Sequence, residues 1–325
     1  MRKIRWGIVS AGKIAHTFAA DIAQVANAEL AAVAARDRQA AQRFAATYEI
    51  SKTYEGYAAL YTDPDIDAIY IATPHTLHFA NTADALRAGK AVLCEKPLSV
   101  SASECRALLD IAAASGCYLM EAMWTWFLPA INKAKEWVDG GRIGELRHIK
   151  AELGYTKAFD PQSRLYDPSL AGGSLLDMGI YPIAIARLFT ARSPQHMHVV
   201  ARHAPNGVDD DVAMLFDYGD CVASLATSFR CKLPNVAFII GTEGYIRIPD
   251  CWRANECHLF HLDEKIDSFS DQRKGSGFEF QIAAVSDDLL QGRRQSGTVT
   301  HAASLAFQQD MDRVRASFAR QARPT

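Results

Sequence analysis

The chain has 325 residues, enough for about two ordinary domains rather than one core. Hydrophobic residues make up 49% and charged residues 22%, a balance that excludes a disordered chain. The formal net charge is −2 with both signs scattered, so nothing electrostatic points to nucleic acid or an anionic membrane as a partner.

No apolar run approaches the roughly 18–20 residues that span a bilayer, and the N-terminus enters a short strand rather than a signal-peptide core. The seven cysteines (94, 105, 117, 221, 231, 251 and 257) are odd in number and form no CxxC pair. Reduced thiols in a cytoplasmic protein are the simplest expectation.

In chain order, the first stretch alternates strand and helix patterns, the signature of a parallel, doubly wound sheet. Ile4–Val9 is an apolar strand broken at Ser10-Ala11-Gly12. Residues 13–26 then form a helix with Ile14, Phe18, Ile22 and Val25 on one face. Strands are expected at 30–35, 68–72, 91–94 and 118–121, and helices at 38–48, about 76–88 and 101–115. Ser101 caps the last of these, with Glu104 three residues on.

Past residue 122 the pattern changes. A helix near 128–139 ends at Gly140-Gly141. Strands follow at 146–155, 196–203, 211–218, 221–229, 235–241 and 244–248, joined in part by short turns that imply a large, mostly antiparallel sheet. A helix at 175–190 interrupts them, and helices at 278–290 and 300–320 close the chain. The expected division is therefore 1–122, a Rossmann domain, and 123–325, a second α/β domain built on an open sheet.

The turn after the first strand carries the chemistry of a dinucleotide site. Against G-x-G-x-x-G/A, Ser10 replaces the first glycine, Gly12 is the second and Ala15 the third. Gly12 lets the backbone approach a pyrophosphate, and the N–H groups around Ser10, Ala11, Gly12, Lys13 and Ile14 face it at the positive end of a helix. A tight strand–helix turn without nucleotide is the plainer alternative. The second strand ends in Arg36-Asp37-Arg38. Arg36 suits a 2′-phosphate and so NADP. Asp37 is also able to accept from a ribose hydroxyl, which leaves NAD possible, or to cap the next helix.

Lys96, in Glu95-Lys96-Pro97, follows a strand where such a sheet opens its ligand crevice, and its ammonium is able to donate to a substrate oxygen. Pro97 makes the preceding bond a candidate for the cis isomer. Downstream, Gly172-Gly173 opens a helix that projects Asp177 and Tyr181, four residues apart, from one face. A carboxylate beside a phenol makes a proton-handling pair; a helix-start Asp and a core Tyr is the plainer alternative. Thr73, Pro74, His75 and His78 follow the fourth strand near the expected nicotinamide.

Trp124, Trp126, Trp252 and Phe278 are candidates for an aromatic substrate wall, with core packing the equal alternative, and Arg164 for a substrate contact from its loop. Cys257, His258 and His261 invite a zinc reading. In a strand the two histidines fall on opposite faces and no second ligand pair stands at metal spacing, so no metal is expected.

Taken together, Ser-Ala-Gly-Lys-Ile, Thr73-Pro74-His75…His78, Glu95-Lys96-Pro97 and Gly172-Gly173…Asp177…Tyr181-Pro182 resemble the Gfo/Idh/MocA oxidoreductases. The segments 33–37, 91–97 and 119–125 are most similar to the branch of dimeric dihydrodiol dehydrogenases and NADP-linked D-xylose dehydrogenases. The resemblance implies a catalytic Lys96, an acid/base Tyr181 and a substrate-shaping Asp177. It also implies a homodimer through the open sheet. Many members carry His where this chain has Tyr181, and the branch usually carries Arg at the position of Trp126.

The expected reaction is hydride transfer between a nicotinamide and an aldose or trans-dihydrodiol. A tyrosine, with an ordinary pKa near ~10, then needs nearby positive charge to act as a base, which the Lys96 ammonium and the oxidised nicotinamide are expected to supply. A nucleotide-binding regulator without turnover and an NAD-dependent glycosidase are the other functions such a fold serves.

Overall fold

A computed structural model describes residues 2–321. By its internal packing the chain divides into two units, Met1–Trp124 with Lys274–Leu305, and Thr125–Arg273 with Ala306–Thr325. A single division into 1–122 and 123–325 therefore needs one correction: the chain returns to the first unit near its end. (That division also takes in Met1 and 322–325, which lie outside the described residues.) The return has a physical anchor. Asp21, buried on the first helix, accepts backbone N–H bonds from Ser276, at 2.9 and 3.0 Å to its two oxygens, and from Phe278 at 2.9 Å. Two backbone donors at the start of a late helix are thereby fixed, through three contacts, to an early one.

The first unit holds a six-stranded parallel sheet of β1 (Ile4–Val9), β2 (Ala28–Ala35), β3 (Lys52–Glu55), β4 (Ala68–Ile71), β5 (Ala91–Glu95) and β6 (Leu119–Ala122). Their order is β3-β2-β1-β4-β5-β6, the doubly wound arrangement. β4, β5 and β6 are buried along their whole length, as strands covered on both faces must be. The connecting helices are α1 (Lys13–Ile22), α2 (Arg38–Tyr48), α3 (Ala58–Thr62), α4 (His78–Arg87) and α5 (Ala102–Ser115). Ser101 caps α5 as expected, its hydroxyl accepting from Glu104 N–H at 3.2 Å. α8 (Phe278–Leu290) and the first turns of α9 (His301–Gln321) also belong to this unit. Ile14 departs from the buried face expected of α1: Phe18, Ile22 and Val25 are buried, but Ile14 is 37% exposed at the helix start.

The second unit contains an eight-stranded sheet ordered β14-β13-β12-β11-β7-β10-β9-β8. These strands are β7 (Leu146–Gly154), β8 (His196–His203), β9 (Asp209–Asp217), β10 (Val222–Ser228), β11 (Ala237–Gly241), β12 (Tyr245–Ile248), β13 (Glu256–His261) and β14 (Glu264–Ser270). All pairs are antiparallel except β7 with β10. Burial alternates along them, so one face is covered and the other open. α6 (Pro129–Asp139) and α7 (Ile180–Thr190) pack against this sheet.

Against the expectation that no apolar stretch approaches spanning length, 168–190 passes by length and mean hydropathy, but 72% of its apolar window is buried within the protein, as for a core helix. Arg187 within it is paired with Asp310 at 2.6 Å, both buried.

Candidate active site

The dinucleotide turn is built at the C-terminal end of β1. Ser10 adopts φ +93°, a left-handed conformation normally left to glycine, and donates its N–H to Ala34 O at 2.8 Å. Its hydroxyl accepts from Gly12 N–H at 3.2 Å, which holds the turn that the missing first glycine would otherwise make. Gly12 is the N-cap of α1 and no side chain caps that helix, so its leading N–H groups remain available to a ligand. A Cβ at Gly12 would meet nothing nearer than Ser10 Oγ at 3.4 Å; the ground in front of the helix is clear. Ala15 is fully buried against the sheet. Ala11, Lys13 and the exposed Ile14 line the approach. These residues fit the pyrophosphate and ribose of a dinucleotide.

At the end of β2, Asp37 is the N-cap of α2, accepting from Gln39 N–H at 3.0 Å and Ala40 N–H at 3.2 Å. Both carboxylate oxygens are thus engaged by the helix. Arg36 and Arg38 are exposed, and Arg36 lies within electrostatic reach of Tyr57.

Two further strand ends meet around Lys96. His78, 1% exposed, sets Nδ1 2.7 Å from Pro97 O and Nε2 2.8 Å from Thr73 O. Carbonyl oxygens only accept, so a neutral imidazole can satisfy one of these contacts and the imidazolium both. The ring thereby ties the turn after β4 to the turn after β5. It is buried between these turns at the first residue of α4. Thr73 and His75 are also buried, and Pro74 partly so; Thr73 Oγ1 accepts from Asn81 at 3.2 Å.

The Lys96–Pro97 bond is cis. Glu95 is buried, with Oε1 accepting from Tyr70 OH at 2.5 Å and Oε2 from Lys96 N–H at 3.2 Å. Its carboxylate is held inside the strand end by Tyr70 and the Lys96 backbone. A second carboxyl group, Glu121 on β6, accepts Leu98 N–H at 2.8 Å. Burial raises its pKa to about 7, against the pull of Ser304, Leu98 N–H and the Lys96 charge, while Glu95 pushes it further up. Lys96 therefore follows a strand whose end is fixed by two buried carboxyl groups, a phenol and a histidine.

In the second unit, the segment bearing Asp177 and Tyr181 does not wind as one regular α-helix. Leu175–Gly179 is a π-helical turn, with Ile180 N–H bonded to Leu175 O, and α7 begins only afterwards. Pro182 lacks the N–H that an α-helix would give to Met178 O, and the wider turn accommodates that loss. The regular four-residue relation between Asp177 and Tyr181 is thereby corrected.

Asp177 is partly exposed and accepts at Oδ1 from both Arg164 terminal nitrogens, each at 3.2 Å, so these two expected site residues do meet. Tyr181 is 6% exposed, with its ring 5.9 Å from that of Trp252. Trp252 is held by its carbonyl, which accepts from Thr125 Oγ1–H at 2.7 Å.

Other aromatic expectations divide. Trp126 is core: its indole N–H donates to Ala184 O at 3.2 Å and its ring meets Phe307 edge-on at 5.2 Å. Trp124 and Phe278, in the first unit, pack on each other at 4.8 Å, and both are buried. All three are buried, as the packing alternative for each requires.

His261 Nδ1 lies 2.7 Å from Glu243 O and His258 Nε2 3.6 Å from Glu256. Among the described residues no group of three or more His, Cys, Asp or Glu side chains stands together as a metal site.

Two residues escaped the sequence reading. Asp209, at the start of β9, accepts from Leu175 N–H at 2.8 Å and the Ser174 hydroxyl at 3.0 Å, and so holds the start of the Tyr181 segment. Burial raises its pKa to about 6. Its sequence signal is only the first Asp of Asp209-Asp210-Asp211, which looks like a solvated run. Glu121 likewise stands in a strand with nothing to mark its burial.

Comparison with known proteins agrees with this geometry. Residues 4–123 match the family described as Gfo/Idh/MocA oxidoreductase, NAD-binding Rossmann fold, and residues 131–247 match a C-terminal domain of the same family. The chain is 41% identical over 257 residues to trans-1,2-dihydrobenzene-1,2-diol dehydrogenase of Mus musculus, covering 78% of this chain and 77% of that one. The Sus scrofa protein of the same name is 36% identical, with 96% of each chain covered.

Among solved structures, a 3-ketoreductase from Actinomadura kijaniata, solved with NADP and TDP-benzene, superposes with a TM-score of 0.86. It is 27% identical and is covered over 98% of its length, against 97% of this chain. An aldose–aldose oxidoreductase from Caulobacter crescentus, 24% identical, shares the fold with a TM-score of 0.90 over 99% of both chains. The chain belongs to the Gfo/Idh/MocA oxidoreductase family, as a nicotinamide-dependent dehydrogenase that acts on CH–OH groups.

Proposed function

We propose that the protein is an NADP-dependent dehydrogenase that oxidises an aldose or a trans-dihydrodiol. The observation that carries the cofactor choice is the capping of α2 by Asp37. Both its oxygens are bonded to helix N–H groups, which leaves the exposed Arg36 as the group suited to the ribose. A guanidinium there offers a forked pair of donors to a 2′-phosphate. The substrate class draws support from the relatives named as dihydrodiol dehydrogenases. Tyr181 beside Trp252 supports it too, since it combines a phenol with an apolar ring face for a cyclic substrate.

The nicotinamide, when bound, supplies the hydride acceptor. The Ser10–Gly12 turn presents the start of α1, where the Lys13 and Ile14 N–H groups suit the pyrophosphate. Lys96 presents a positively charged donor for a substrate oxygen. Tyr181 takes the hydroxyl proton as the carbon is oxidised, and Asp177, oriented by Arg164, receives neighbouring substrate hydroxyls. Retention of Lys96, Asp177 and Tyr181 favours turnover over a purely regulatory role.

We further propose a homodimer through the open sheet face. There Phe238, Tyr245 and Phe260 form an aromatic row, with Tyr245 and Phe260 stacked at 4.7 Å, and Val200 and Leu215 are exposed. All seven cysteines are free, in keeping with a reducing cytoplasm.

A screen of aldoses and diols with NADP and with NAD, following absorbance of the reduced nicotinamide, tests the central reading. Turnover with NADP on a sugar or diol supports it. Turnover with NAD alone overturns the role of Arg36, and a cofactor that never leaves the protein favours the glycosidase.

A further inference from the structure

Beyond Trp252, the second unit carries a cluster of cations with few counter-charges. Lys232 Nζ lies 5.0 Å from the centre of the Tyr155 ring and Lys157 Nζ lies 5.8 Å from the same centre. The Arg253 guanidinium lies 5.2 Å from the Trp252 ring. The rings are contiguous: Tyr155 meets Trp252 at 6.5 Å, and Trp252 meets Tyr181 at 5.9 Å.

Two ammonium groups drawn to one phenol repel each other, and a ring quadrupole offsets only part of that cost. Neither reaches a carboxylate within ion-pair distance among the described residues; the Lys232 ammonium donates instead to Leu233 O. The carboxyl groups facing the cluster are Glu152, within electrostatic reach of Lys232, and Asp250, 3.4 Å from Arg253. Burial makes Glu152 harder to ionise than an ordinary glutamate, which weakens it as a counter-charge. Arg164 adds a further cation beside Asp177.

We infer that Lys157, Lys232 and Arg253 form a recognition subsite for an anionic oxygen group, a carboxylate or a phosphate monoester, carried by the sugar or diol whose hydroxyl faces Tyr181. The inference rests on the reading of Tyr181 as the proton-handling residue and narrows its substrate to an acidic derivative. Trp252 and Tyr155 supply an apolar floor between the reacting end and the charged end. The lysines, both exposed, supply mobile donors that close on the anion.

The test combines binding with turnover. Tryptophan fluorescence follows titration of the full-length protein with D-glucitol, D-gluconate and D-glucitol 6-phosphate, and kcat/KM is measured for D-glucose, D-glucuronate and D-glucose 6-phosphate with NADP. At least one charged ligand is expected to bind about tenfold or more tightly than the neutral polyol, as for a charge-assisted hydrogen bond. The carboxylate and phosphate arms identify which group is read. In the double variant Lys157→Met/Lys232→Met, which keeps the apolar stems, the charged-to-neutral ratio is expected to fall close to one.

Equal affinity for charged and neutral polyols, no binding of any, or a ratio unchanged in the double variant overturns the inference. Good turnover of D-glucose without charge preference overturns it while leaving the dehydrogenase reading intact. Conversely, tighter binding of the charged polyol that the double variant abolishes, without reduction of NADP by any sugar, sustains the subsite and overturns the sugar dehydrogenase reading.

Discussion

Leu98 donates its backbone N–H to Glu121 Oε1 at 2.8 Å, so a carboxyl group that is only 1% exposed fixes the turn two residues past Lys96. The folded-state pKa of Glu121, about 7, lies above its ordinary value of 4.5. Its contribution to stability is therefore fully present below about pH 4.5 and is lost as pH rises through 7. At about 1.36 kcal/mol per pKa unit, the span amounts to about 3 kcal/mol. Glu121→Gln keeps an acceptor for Leu98 but cannot ionise. Its melting temperature should gain on the parent protein as pH rises from 5 to 8; parallel stability curves would show that Glu121 does not titrate there.

Arg36 is exposed and touches no core, so Arg36→Ala should leave the melting temperature unchanged. Loss of a forked, charge-assisted contact of roughly 1.5–3 kcal/mol predicts an increase in the NADP dissociation constant of about 10- to 100-fold. Affinity for NAD should stay within about twofold, because Asp37 is already committed to α2. Calorimetric titration of both cofactors decides the matter, and an equal loss for the two would make Arg36 a general electrostatic contributor.

Tyr181→Phe removes the hydroxyl but keeps the ring that packs at 5.9 Å from Trp252. The fold and cofactor affinity should survive, while kcat falls by about 10²- to 10⁴-fold, the usual range for loss of a general acid or base. Near-normal turnover with weakened NADP binding would remove Tyr181 from the chemistry.

Gly173 has φ +138°, and a Cβ there would stand 2.3 Å from Asp209 Oδ1. Gly173→Ala should strain the backbone and push Asp209 away from Leu175 N–H and the Ser174 hydroxyl, costing roughly 2–4 kcal/mol. Activity should fall with stability, because the Tyr181 segment starts there. Gly207→Ala is the comparison: φ +86° with nothing within 4 Å, so only the strain of about 1 kcal/mol remains. Equal melting temperatures for the two variants would show that the Asp209 contact does not matter.

The elements legible in advance were those whose own residues announce them. β1, the Ser10–Gly12 turn, β5 with Lys96, and the antiparallel run after residue 196 show as apolar runs or alternation ending in small or turn-forming residues. The edge strands β3 and β14 passed unseen because Lys52–Glu55 and Glu264–Ser270 are largely polar. Each takes its strand geometry from one neighbour, β2 or β13. Among site residues, Lys96, Arg164 with Asp177, and Tyr181 with Trp252 were nameable from residue type and resemblance. Glu121 and Asp209 were not, because a carboxylate announces its charge in sequence but not its burial.

By itself the sequence determined the class of each half: period-2 and helical patterns specify which faces are apolar, and apolar faces specify layers. It also determined the chemistry on offer, an ammonium after β5 and a phenol after a glycine pair. Tertiary structure alone decided what each charged or aromatic group does. Asp37 caps a helix, His78 ties two turns, Trp126 is core, and the segment under Tyr181 widens to a π turn. The physical reason is that these roles depend on the partner atoms within about 3 Å and on exclusion of water, and long-range packing supplies both.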